Sequence, residues 1–127
     1  MLSNTRAYAT LPAADMNRAK AWYRDKLGLI PNREDAGGAM FSLGANSLFM
    51  LYPSTFAGTA QNTALEFNCE DVKAEVSALR ARGVVFEDYD MPGLKTDNGI
   101  AQLGPTLAAW FKDSEGNILA LGDALQH

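Results

Sequence analysis

Four residues, set in two pairs, constrain this chain more than any others. Asp15 and Asp71 stand 56 positions apart, and Gly28 and Gly83 stand 55 apart. Each aspartate precedes apolar residues at helical spacing: Met16, Ala19, Trp22, Tyr23 and Leu27 in the first case, Val72, Val76 and Leu79 in the second. A carboxylate placed there accepts the free amides of a first helical turn. Glycine ends a helix in the left-handed backbone that other residues reach only at a cost. The chain thus writes one helix frame twice, and a repeat of that length is settled before shorter motifs are read.

Short strands surround both frames. Ala7 to Leu11 precedes the first helix, and Leu29 to Arg33, Ala39 to Leu43 and Leu48 to Tyr52 follow it. Pro53 to Asn62 is rich in turn-forming and small polar residues and reads as a linker. The pattern then restarts with Thr63 to Asn68, the second helix, Val84 to Tyr89, Gly99 to Leu103, Thr106 to Lys112 and Asn117 to Leu121. The last two strands flank Asp113-Ser114-Glu115-Gly116-Asn117, a polar turn that predicts a β-hairpin. Leu43 to Leu51 has the same build. Met91 to Asn98 reads as a long loop that could close over a site as a lid, with Lys95 placed to meet an anion, or simply stand in solvent. The expectation is one domain over residues 1–127, with modules at about 5–54 and 63–123 and a linker at about 55–62.

A chain of 127 residues buries roughly two-thirds of its unfolded surface without disulfides or metal. Cys69 is the only cysteine, so no intrachain disulfide can form. A net charge of -4, with no cluster of Lys and Arg to follow phosphates, argues against nucleic acid. The N-terminal residues lack the apolar core of a signal peptide, and no apolar run approaches the ~20 residues that span a bilayer. A cytoplasmic protein with no membrane partner is expected.

The helix start Leu11-Pro12-Ala13-Ala14-Asp15 and the run Ala21-Trp22-Tyr23-Arg24-Asp25-Lys26-Leu27-Gly28-Leu29 resemble the vicinal oxygen chelate superfamily. This superfamily includes glyoxalases, bleomycin-resistance proteins, fosfomycin-resistance enzymes and extradiol dioxygenases. Glu70-Asp71-Val72, leading into Leu79-Arg80-Ala81-Arg82-Gly83-Val84, agrees, and Asp113 to Asn117 is similar to the family's Asp-Pro-Asp-Gly-Asn turn with Ser in place of Pro. The resemblance implies an α+β fold in which two βαβββ modules form an eight-stranded, mainly antiparallel curved sheet with outer helices. It also implies a ligand-holding cup, often completed in a homodimer. Fold alone does not give function.

Metal-dependent members place His, Gln or Glu at four strand positions, which here hold Tyr8, Ala64, Met50 and Ala120. Alanine has no donor, methionine is a soft thioether and a phenol titrates near 10, so no bound metal and no cofactor are expected. His127, the only histidine, is the last residue. No Ser-His-Asp arrangement can therefore be built within the fold.

Alternation along strands assigns the rest of the cup. Tyr8 brings Thr10, Met50 brings Tyr52, Ala64 brings Glu66, and Trp110 points inward with Ala120 while Phe111 packs on the helices. Such a wall, aromatic and apolar with one acid, suits an amphipathic organic ligand. Each aromatic could equally fill core. Glu66, if buried, would need a partner or an upward-shifted pKa; at a strand end it could be half exposed instead. Cys69 reads as an inert thiol, with no histidine partner. The function expected is metal-free binding of an aromatic or cationic small molecule by a homodimer. A metal-independent lyase or isomerase with Glu66 as base and Tyr8 as proton donor is the alternative.

Overall fold

The computed structural model describes all of residues 1–127. In the first half, β1 (Ala9–Ala13) leads into α1 (Met16–Trp22), whose final turn widens over Tyr23–Leu27 and ends at Gly28 with φ 70°. Asp15 caps α1, its Oδ1 accepting the Arg18 amide at 3.0 Å. Then come β2 (Arg33–Asp35), β3 (Gly38–Ser42) and β4 (Leu48–Pro53). These strands form a four-stranded sheet in the order β1-β4-β3-β2, with β1 parallel to β4.

The second half repeats the plan and extends it. β5 (Thr63–Asn68) is followed by α2 (Val72–Ala81), where Asp71 Oδ1 accepts the Ala74 amide at 3.0 Å. β6 (Asp90–Met91), β7 (Leu94–Asp97), β8 (Ile100–Leu103), β9 (Thr106–Lys112) and β10 (Ile118–Gly122) complete a six-stranded sheet. Its order is β5-β10-β9-β8-β7-β6, and β5 runs parallel to β10.

Three expectations need correction. The single eight-stranded sheet is instead a sheet of four strands and a sheet of six. The edge strands β1 and β5 approach each other without sharing a ladder. Between the halves, the side-chain amide of Asn117, just before β10, donates to the Pro12 carbonyl of β1 at 2.9 Å. Met91 to Asn98 is not a long loop: Asp90 pairs with Lys95 and Met91 with Leu94 around Pro92-Gly93, whose glycine takes φ 81°. A lid is therefore replaced by a hairpin that lengthens the sheet. Val84 to Tyr89 makes only an isolated bridge, Phe86 to Phe111, beside which the Glu87 amide donates to the Trp110 carbonyl at 2.8 Å.

Both helices cover the same side of the two sheets. Leu11, Ala13, Phe49, Leu51, Phe111, Leu119 and Leu121 point towards them and belong to one buried cluster drawn from both halves. Trp22 stacks on Phe111 with ring centres 6.2 Å apart, and Phe49 meets Phe67 edge-on at 6.3 Å. Aromatic pairs of this kind contribute about 0.5–1.5 kcal/mol beyond their burial. Residues of the opposite parity lie on the other side of the sheets, which no helix covers.

Candidate functional site on the open face

On that open face the second half sets three residues in one row, since Ala120 pairs with Trp110 on one side and Glu66 on the other. Trp110 is half-buried; its Nε1 donates to Thr63 Oγ1 at 3.1 Å, and Tyr89 meets its ring edge-on at 5.6 Å. Burial raises the Tyr89 hydroxyl pKa, helped by the charge of Glu87, so Tyr89 is a neutral donor at ordinary pH. Ala120 is fully buried yet outside the helix-side cluster, sealed beneath its neighbours on the open face.

Glu66 is exposed, which removes the desolvation argument attached to it in the sequence. Its carboxylate leans along β5 over Gly122: a Cβ at 122 would stand 2.6 Å from Glu66 Oε2. The four ion pairs of the chain leave Glu66 out. Gly122 is thus a residue that the sequence did not single out, and its bareness gives the carboxylate its place.

The first half presents a second set. The register Arg33–Met40–Met50–Thr10 crosses the four-stranded sheet as one row of the open face. Leu48 and Ser42 pair in the next row, beside Tyr8. Tyr52 pairs with Pro12 further along. Tyr8 is 46% exposed and lies in a cleft of about 290 Å³ floored by Met40 and Leu48. Of the residues singled out from the sequence, Tyr8, Thr10, Met50 and Tyr52 therefore share one sheet, and Glu66, Trp110 and Ala120 share the other. The cleft of Tyr8 does not include Glu66.

The largest cleft, about 550 Å³, lies on the helix side between α2 and β7 to β9, lined by polar groups such as Lys73, Ser77, Asp97 and Gln102. Cys69 opens on a smaller apolar cleft on that side, of about 230 Å³, with Leu29, Phe67 and Leu79. Its thiol pKa is raised, first by burial and then by nearby carboxylates, so it is a poor nucleophile.

The most densely bonded polar group in the chain is the turn between β9 and β10. Buried Asp113 accepts the Tyr23 hydroxyl at 2.6 Å, the Glu115 and Asn117 amides at 2.9 Å, and the Asn117 side chain at 2.8 Å. Glu115 reaches the start of α1, accepting the Asp15 amide at 2.9 Å and a two-pronged Arg18 guanidinium at 2.8 and 2.9 Å. Arg18 holds the Glu115 pKa down at about 2, against the opposing effect of burial. Burial, with Asp113 beside it, pushes the Tyr23 pKa well above its ordinary value. The bonds to Tyr23, Asp15 and Arg18 join the two halves, and the bonds within the turn hold Asp113 in place for them.

A family model described as the Glyoxalase/Bleomycin resistance protein/Dioxygenase superfamily matches residues 5–121. The chain belongs to this superfamily. No curated protein matches its sequence. Among solved structures, this glyoxalase-superfamily chain is similar to UcmS2, at 19% identity and a TM-score of 0.73 over 94% of this chain and 100% of that one. It is similar to a glyoxalase/bleomycin resistance protein from Catenulispora acidiphila DSM 44928, at 23% identity and a TM-score of 0.65 over 94% and 97%. It also matches the E126Q mutant of the fosfomycin resistance protein FosX from Listeria monocytogenes, complexed with Mn(II) and 1S,2S-dihydroxypropylphosphonic acid. That match has 13% identity and a TM-score of 0.61 over 94% and 90%. At these identities the likeness shows a shared fold.

At the four positions that the sequence resemblance implies for a metal, this superfamily member holds residues that do not fit a divalent ion. Tyr8, Ala64, Met50 and Ala120 supply no imidazole, carboxylate or thiolate. Nowhere does the chain gather three His, Cys, Asp or Glu side chains able to hold one. His127 lies 3.5 Å from Asp123 at the C-terminus.

Proposed function

We propose that this protein binds an aromatic or cationic organic molecule on its open face without a metal. The observation that carries this reading is the place of Trp110: a half-buried indole on the uncovered side, edged by Tyr89 and in one cross-strand row with an ion-pair-free carboxylate, that of Glu66 beyond Ala120. An indole face attracts an organic cation, and a nearby carboxylate supplies the opposite charge. Met50 and Tyr52 would add apolar contact from the other sheet. A single chain leaves this face open, so closure of a cup calls for a second copy, and the functional unit is a homodimer.

Benzyltrimethylammonium is a suitable probe for calorimetric titration. Trp110→Ala should abolish measurable binding. Glu66→Gln should weaken it roughly fivefold, the worth of an exposed charge pair. Unchanged affinity in both variants would remove the site from this face.

A further inference from the structure

We propose that the end of the open face beside Tyr8 is a binding cleft for an organic oxyanion, a carboxylate or phosphate carried on an apolar group. This deepens the small-molecule reading above by adding a ligand end of opposite charge, and it rests on different residues. Two arginines, Arg6 and Arg33, line the same cleft of about 290 Å³. Neither takes part in any of the chain's four ion pairs. No Asp or Glu lines the cleft. Two cations that line one cleft without a counter-charge are an arrangement that an incoming anion relieves.

The strand pattern explains how the charges were separated. Arg33 pairs with Met40 and so shares the open face with it, while Glu34, next in sequence, turns to the helix side and binds Lys20 at 2.6 Å. Asp35 has the parity of Arg33, but its Oδ1 accepts the Gly37 amide at 2.8 Å within its own turn. The carboxylates nearest in sequence are thereby engaged elsewhere.

The remaining lining completes a recognisable site. Tyr8, Asn32 and Ser42 offer neutral donors at its rim, and Met40 and Leu48 form an apolar floor. Guanidinium groups pair with carboxylate and phosphate oxygens through two parallel N–H donors, and the floor accepts a hydrocarbon body beside the charge.

Calorimetric titration with benzoate, phenyl phosphate and inorganic phosphate tests this, with benzylamine, whose affinity should be indifferent to both arginines, as a control of opposite charge. Benzoate or phenyl phosphate should bind, and the tighter of the two names the oxyanion class. Arg6→Gln and Arg33→Gln should each weaken that binding by about tenfold, and added salt should weaken it further. Both positions are exposed, so the fold should survive, and Arg33→Lys should recover part of the loss. Inorganic phosphate should bind more weakly than phenyl phosphate, because it leaves the floor unused. Glu66→Gln and Trp110→Ala should leave anion affinity unchanged. Failure of both organic anions to bind, or binding indifferent to both arginines, would overturn the inference. Cation binding that depends on Trp110 would then still stand. Arginine-dependent anion binding without any cation binding would overturn the earlier reading alone.

Discussion

The turn between β3 and β4 and the turn between β9 and β10 hold the same place in the repeat, yet they are built for different work. The first, Gly44–Asn46, is exposed, and its bonds stay local: Ser47 Oγ donates to the Gly44 carbonyl at 2.7 Å. Ala45 and Asn46 both sit in the left-handed region, at φ 55° and 61°. The second turn is buried at Asp113, Glu115 and Asn117 and grips α1 of the other half. Both halves carry the hairpin, and of the two turns only the one that meets another element has buried polar side chains. The Asp-Ser-Glu-Gly-Asn stretch that marks the family is accounted for by joining the halves, with no chemistry required of it.

If that contrast is right, the two turns should respond very differently to substitution. Asp113→Ala leaves the Tyr23 hydroxyl, two backbone amides and the Asn117 side chain without their buried acceptor. A loss of about 3–5 kcal/mol in denaturant unfolding is expected. Ser47→Ala in the exposed turn should change stability by no more than about 0.5 kcal/mol. Equal losses would erase the distinction.

Glu115 gives the comparison a pH signature. Its folded pKa lies near 2, below the ordinary 4.5, so its stabilising contribution is fully present above pH 4.5 and is lost as the pH falls through 2. The shift corresponds to at most about 3 kcal/mol, and screening of the half-exposed Arg18 reduces it. Glu115→Gln should therefore lower stability by about 1–2 kcal/mol at pH 7, with the gap to the parent closing between pH 4.5 and 2. A gap that stays constant over that range would contradict the charge-based account. One effect in the exposed turn runs the other way. Ala45→Gly removes a Cβ from left-handed backbone and should stabilise the protein by about 0.5–1 kcal/mol.

What could be read from the sequence was what is local. Asp15, Asp71 and the glycines that follow fix two helices through contacts within a few residues, and the Asp113–Asn117 turn fixes a hairpin. The α+β class follows from their order. The split into two sheets was not legible, because it depends on β1 and β5 approaching each other without sharing a ladder. Pro92-Gly93 falls within the stretch Met91 to Asn98 that reads as a loop, although two turn residues between short pairing strands also make a hairpin. The partnership of Glu115 with Arg18 spans 97 residues and leaves no trace in either neighbourhood. On the open face, parity sets Thr10 with Tyr8 and Tyr52 with Met50, and the register adds that Thr10 and Met50 share a row. Arg33 was missed because its strand begins later than the apolar pattern suggested, which concealed the face it takes.

The central claim is that the open face binds an organic cation with no metal ion. The most direct measurement is the affinity of benzyltrimethylammonium before and after exhaustive chelation, with metal content determined on the same sample. Equal affinity in both states, with less than stoichiometric metal, is the result this account predicts. Binding that disappears on chelation and returns with manganese or zinc would contradict it.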